Sequence, residues 1–414
     1  MEALKVAPSR PGKHGTAAGG PNGEGVGGSP QGGPSPREAH GGTALGGYKD
    51  RPWFLRFWEG ITFYPWLRLL VRHRFRVSPS RIAMAAFLLA VGVFNWLLAV
   101  IQLVLWGRKI TRTKIDRHPI FVLGHWRAGT TWLHELMVLD PRHTFPTTYA
   151  CFAPNHYLLS RRVLPRLISV FMPTLRPMDN MPAGWDRPQE EEFALCNMGV
   201  PSPYLTMVFG REPPEDEEYL TLRDVPPRAL ARWKRALVWF LKCVTLVDPK
   251  RIVLKSPPNT GRVKTLLELF PDARFVHIVR DPYVVFASTV NLWKRLYWYQ
   301  GLQAPPYPGL EERVFETFRR MYEAFEQDRA RIQPSRLCEV RYEDLMADPV
   351  AQMRRIYAEL ELGQFDAVLP ALEKYVRAKA DYRPNRYEIS PEARAEVARR
   401  WSDFMDRYGY AAEG

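Results

Sequence analysis

The stretch that most constrains this chain is Phe121–Met137, FVLGHWRAGTTWLHELM. Apolar residues of strand character run into a loop bounded by Gly124 and Gly129, and the residues after the loop take up the apolar spacing of an amphipathic helix. A strand, a glycine-bounded loop and a helix N-terminus in that order aim backbone N–H groups at an anion. Such a unit belongs in an α/β sheet whose ligand lies outside the carboxyl ends of the strands.

Gly124, four residues and Gly129 repeat the glycine spacing of a Walker A loop, and Thr131 stands where its magnesium-binding hydroxyl belongs. The lysine position, however, holds Thr130, and the nearest cation is Arg127 inside the loop. Loss of the lysine that reaches a γ-phosphate argues against a nucleoside triphosphate and for a shorter anion. The pattern resembles the 5′-phosphosulfate loop of the sulfotransferases that use 3′-phosphoadenosine 5′-phosphosulfate (PAPS). In that loop a basic residue, a small residue, Gly-Thr-Thr and Trp follow a strand, and here those positions are Arg127, Ala128, Gly129, Thr130, Thr131 and Trp132. Arginine in place of the family's usual lysine keeps the charge and adds a planar fork for oxygen pairs.

From about residue 115 short apolar runs alternate with helical ones, which predicts a parallel sheet flanked by helices. The expected strands are Phe121–Leu123, Arg251–Leu254, Phe275–Val279 and Leu337–Val340, each ending at residues of chemical character. Lys255 follows the second, where an ATPase would usually place an aspartate for magnesium; a cation there favours an anion directly and removes the need for a metal. Arg280 ends the third strand and Ser288 lies eight residues on, past a helix start at Asp281 and Pro282, so a guanidinium and a hydroxyl can converge on one phosphate. The pair resembles the 3′-phosphate site of the same family, whose Tyr-Glu-Asp segment is matched by Tyr342–Asp344. The resemblance gives Lys255 the bridging region of PAPS and Tyr342 a contact to the nucleotide. The family's late basic loop has no clear match, with Arg383 and Arg386 as candidates.

Cytosolic sulfotransferases place a histidine base two residues after the strand lysine, and this chain has Pro257 there. Related membrane-bound and bacterial enzymes use a glutamate, which points to Asp186–Phe193, DRPQEEEF. Asp186 and Pro188 are expected to open a helix, Glu190 is the first choice of base and Glu192 the second, although acids in a first turn also complement the helix dipole. His125 and His134 are alternatives, and His277, mid-strand, is expected to be structural.

The formal charge of +14 raises a nucleic-acid reading, but it is local. Residues 51–117 hold twelve Lys/Arg and two acids, and they flank an apolar run rather than a binding face. Residues 1–50 hold half of the 28 glycines and few large apolar side chains, so a disordered tail is expected. Ile82–Trp106 is apolar apart from Gly92, Asn95 and Gln102, long enough for a transmembrane helix, with a buried core helix as the alternative. Aromatic and arginine residues over Trp53–Val77 suit a headgroup layer and a second, interfacial helix. Cations on both sides of the run give no firm orientation. Four cysteines without paired spacing and no N-x-Ser/Thr acceptor lean toward a reducing, cytoplasmic compartment.

The expected organisation is therefore a tail over 1–50, a membrane-associated segment over 51–114 with a single-pass helix, and a sulfotransferase domain over 115–414. The resemblance implies transfer of a sulfuryl group from PAPS, without a metal, to a hydroxyl or amine of a carbohydrate, lipid or other small molecule, releasing PAP. A P-loop kinase and a membrane protein that binds a nucleotide without catalysis are the alternatives, and oligomeric state is left open.

Overall fold

The computed structural model describes residues 55–115, 117–171, 183–379 and 389–410, so the expected tail and Arg383 and Arg386 lie outside the described residues. Five strands, β1 (Ile120–Leu123), β2 (His143–Thr144), β3 (Arg251–Lys255), β4 (Arg274–Val279) and β5 (Leu337–Arg341), form one sheet in the order β2-β3-β1-β4-β5. Every neighbouring pair is parallel, with Phe121 of β1 opposite Leu254 on one side and Phe275 on the other. The three inner strands are buried at nearly every position because both faces of a parallel sheet are covered. Alternation along β1 divides the core: Phe121 and Leu123 pack on one side, while Ile120 and Val122 join Leu133, Val276 and Ile278 on the other. The parallel arrangement brings Leu123, Lys255, Val279 and Arg341 out at the same end of the sheet.

The helices that position the site are α1 (Phe63–Arg72), α2 (Ile82–Arg112), α3 (Thr130–Met137), α4 (Glu191–Asn197), α5 (Pro227–Val247), α6 (Pro282–Gln300) and α7 (Leu310–Arg329). α6 begins as its sequence requires: the Asp281 carboxylate accepts from the backbone N–H groups of Tyr283 and Val284, and Pro282 occupies the first turn. α4 begins later than Asp186 and Pro188 suggest. Pro188 sits in an antiparallel bridge with Thr147, and Gln189 N donates to Pro146 O at 2.9 Å, which holds this segment extended until Glu190.

α2 is one continuous apolar helix that, with the turn before it, is long enough to cross a membrane, and 22% of its most apolar window is buried. It does not stand apart from the rest. Residues 50–414 form one unit, and the mid-helix polar side chains of α2 point into it. Asn95 Nδ2 donates to the carbonyls of Glu59 and Ile61 at 2.7 and 2.9 Å. Gln102 Nε2 donates to Asn155 O, while its Oε1 accepts from Leu158 N and Leu159 N. At Gly92 a Cβ would lie 3.0 Å from Phe63 N, tighter than ordinary contact, so glycine favours the close approach of α1 and α2.

Candidate active site

The loop after β1 is shaped by residues in the left-handed region. Gly124 has φ 143° and Gly129 φ 98°. A Cβ on Gly124 would stand 2.5 Å from Ile278 O, and one on Gly129 would stand 2.3 Å from the Tyr342 ring, so both the conformation and the space require glycine. Gly124 N donates to Thr260 Oγ1 at 2.8 Å, tying the start of the loop to the turn that follows β3. Arg127 also lies at φ 68°, and its side chain crosses to α6, where Nε donates to Ser288 Oγ at 2.7 Å.

Arg280, at the tip of β4, reaches the same loop: its Nη1 donates to Arg127 O at 3.1 Å. Its guanidinium carbon stands 4.0 Å from the centre of the Tyr342 ring, and Tyr342 also covers Gly129. Burial pushes Arg280 below the usual arginine value, Tyr342 acts against that shift and the nearby positive charge of Arg127 adds to it. The structure thus brings Arg127, Gly129, Arg280, Ser288 and Tyr342 into one cluster. The β1 loop and the Arg280–Ser288 segment, separate in the sequence, meet through Arg127. Ala128 and Thr130 are buried beneath the loop, and Thr131 and Trp132 are half-buried, with Trp132 5.6 Å from the Tyr375 ring.

A second cluster lies one strand away. Lys255 ends β3 and is buried, and its Nζ lies 2.5 Å from Glu190 Oε1. The other carboxylate oxygen, Oε2, accepts from Tyr204 Oη at 2.5 Å, and Tyr204 Oη in turn accepts from Trp126 Nε1 at 3.1 Å. Trp126 belongs to the β1 loop, so this chain of polar contacts links the loop to the carboxylate. Glu190 reaches Lys255 because the N-terminus of α4 docks on the end of β3, where Glu192 N donates to Ser256 Oγ at 3.2 Å. Nothing local in the sequence marks Tyr204, which comes from a short helical turn after α4 and is fully buried.

The other candidates are placed differently. Glu192 is fully buried in a two-pronged pair with Arg262 at 2.5 and 2.9 Å and also accepts from Ser202 Oγ. Glu191 is buried too: Oε1 accepts from Asn259 Nδ2 at 2.5 Å, Oε2 has no hydrogen-bond partner, and burial pushes its carboxyl up to about 6. Burial lowers both His125 and His134 to about 3, with Lys255 adding to the effect at His134, so both are neutral at pH 7 and poor proton acceptors. Their ring nitrogens lie against the carbonyls of Trp126 and Val253. His277 Nδ1 lies 3.0 Å from Glu339 Oε1 between the aromatic rings of Phe325 and Tyr408, a structural setting as expected.

A glycine-bounded loop after β1, a guanidinium cluster at the tip of β4 and a lysine–glutamate pair at the end of β3 lie at the same end of the sheet. The family model described as "Sulfotransferase family" matches residues 119–366, which span all five strands and both clusters. The chain belongs to the sulfotransferase family. It is 45% identical over 360 residues to the omega-hydroxy-beta-dihydromenaquinone-9 sulfotransferase Stf3 of Mycobacterium tuberculosis and of Mycobacterium bovis, covering 87% of this chain and 92% of those proteins. Among solved structures, sulfotransferase STF9 from Mycobacterium avium superposes with a TM-score of 0.60 at 20% identity, over 77% of this chain and 82% of its own. Sulfotransferase STF1 from Mycobacterium tuberculosis gives 0.57 at 19% identity, over 82% and 90%. These two likenesses establish the shared α/β fold. The molecule is a sulfotransferase enzyme.

Proposed function

We propose that this sulfotransferase moves the sulfuryl group of PAPS to a hydroxyl group of a lipid-like acceptor, with Glu190 as general base and PAP as the second product. The observation that carries the reading is the Glu190 carboxylate, held between Lys255 Nζ and Tyr204 Oη at the end of β3 and linked through Trp126 to the anion loop. The acceptor class follows from the 45% identical relatives, whose name gives an omega-hydroxy dihydromenaquinone, a lipid quinone, as the molecule sulfated.

The residues fit the donor. The N–H groups of the loop at Arg127–Thr131 and the charge of Lys255 suit the 5′-phosphosulfate, while Arg280, Ser288 and Arg127 supply a guanidinium cluster for the 3′-phosphate. Tyr342 braces Arg280 and closes the loop at Gly129. Before the donor arrives, Lys255 Nζ pairs directly with the Glu190 carboxylate. An anionic donor competes for the same ammonium group and frees the carboxylate to accept a proton.

In the transfer, the acceptor oxygen attacks sulfur in line as Glu190 takes its proton. The new O–S bond forms while the bond from sulfur to the 5′-phosphate oxygen breaks, and that electron pair leaves on PAP. Lys255 and the loop N–H groups then face the developing phosphate charge. A kinase reading lacks support, since Lys255 stands where a metal-holding carboxylate is needed.

The test is transfer of radiolabelled sulfate from PAPS to fractionated membrane lipids and glycans by wild type, Arg127→Ala and Glu190→Gln proteins. Label is expected in a lipid fraction, with Glu190→Gln reduced roughly 10²–10⁴-fold, the usual weight of general base catalysis. Label confined to glycans would overturn the acceptor class, and undiminished turnover by Glu190→Gln would overturn the base.

A further inference from the structure

α2 has its polarity arranged the wrong way round for a helix on the surface of a water-soluble protein. Its buried positions, Ala85, Leu88, Gly92, Asn95, Gln102, Gly107 and Ile110, keep to one side of the helix, so it lies flat against the molecule for about 40 Å. Both of its mid-helix polar side chains, Asn95 and Gln102, are on that inner stripe. The outer face carries Phe87, Phe94, Leu97, Ile101, Val104 and Leu105, which are between 45% and 77% exposed. Next to it, in the chain that follows the Gln102 anchor at Leu158 and Leu159, Val163, Leu167 and Val170 are 57–80% exposed. Continuous apolar surface of this kind is rare on a soluble monomer.

The exposed charge around this surface is mainly positive. Arg74 stands exposed before α2, where Arg76 pairs with Glu212; Arg108, Lys109 and Arg112 stand exposed at its end, and Arg162 and Arg166 among the second set of apolar residues. Residues 51–117 carry a net +10. We propose that this face is a docking surface for an anionic lipid bilayer, with α2 lying in the plane of one leaflet rather than crossing the membrane. A crossing helix would carry its inner partners into the hydrocarbon, including α1 with the exposed Arg68 and α5, whose Lys242 Nζ donates to Thr111 O. An in-plane helix leaves all of these on the aqueous side, buries only the apolar face, and places the cations of both ends among the headgroups of the same leaflet. The inference rests on the burial pattern of α2 and holds whether or not the acceptor is a lipid.

The test uses the full chain and needs no sulfate transfer. Wild-type protein is expected to float with vesicles of phosphatidylglycerol and phosphatidylcholine, to bind them less as salt rises, and to bind phosphatidylcholine vesicles at least 10-fold more weakly. The double variant I101E/L105E should lose flotation while keeping the wild-type melting temperature and affinity for PAP. Single cysteines placed as Ser80→Cys and Lys114→Cys report the orientation, against a low background because Cys151, Cys196, Cys243 and Cys338 are all buried. Both are expected to react with a membrane-impermeant maleimide added outside sealed vesicles. Protection of one end would mean that α2 crosses, and a stable dimer that ignores vesicles would mean that a second copy covers the face; either result overturns the proposal.

Discussion

At the scale of single residues, the site depends on contacts too close to tolerate one additional atom. Alanine at Gly129 would place a methyl group inside the Tyr342 ring at a positive φ, so Gly129→Ala is expected to weaken PAP binding at least 10-fold by calorimetry without unfolding the sheet. Tyr204 plays a different part. It donates to Glu190 and orients the carboxylate, so Tyr204→Phe should lower kcat roughly 10-fold while leaving KM for PAPS near wild type. An unchanged kcat would make Tyr204 a packing residue. Arg127, Arg280, Ser288 and Lys255 were legible in the sequence because each sits at a fixed distance from a strand end. Tyr204 was not, since its role depends on a turn folding back across the sheet.

At the scale of elements, the N-terminus of α4 carries three successive carboxylates with three separate environments. Glu190 meets Lys255, Glu191 meets Asn259 and Glu192 meets Arg262. Sequence spacing separates the faces of Glu190 and Glu192, but it does not show that Arg262, seventy residues away, waits for one of them. Breaking that buried pair with Arg262→Met should cost about 3–5 kcal/mol in denaturant unfolding, because Glu192 would be left charged and unpaired. Glu191 supplies a pH signature. Its folded value of about 6 lies above the ordinary 4.5, so its contribution to stability is fully present below pH 4.5 and is lost as pH rises through 6. The loss amounts to about 2 kcal/mol, and Glu191→Gln should therefore gain on wild type by about that much between pH 4.5 and 8. A constant difference across that range would contradict the burial argument. The four longer strands could be read from their apolar runs, whereas β2 has only His143 and Thr144 and offers no periodicity to read.

At the scale of the whole molecule, the N-terminal helices and the sheet share a core. Trp58 and Trp66 are buried, Trp58 Nε1 donates to Gln300 O, and Asn197 Nδ2 donates to Phe57 O and Cys151 O. Removal of residues 1–112 should therefore give a protein without a cooperative thermal transition, whereas a free-standing catalytic domain would melt normally. Composition alone marked α2 as apolar; its orientation depends on where Asn95 and Gln102 find partners, which only the fold reveals. In the proposed mechanism the β1 loop and the Arg280 cluster form a single site for a nucleotide charged on both its 3′ and 5′ sides. Titration calorimetry with PAP and with 5′-AMP tests it most directly. Wild type should bind one PAP per chain and prefer it over 5′-AMP, and Arg280→Ala should lose roughly 10–100-fold in PAP affinity while barely changing 5′-AMP binding. Equal affinity for the two nucleotides, or PAP binding untouched by Arg280→Ala, would contradict the account.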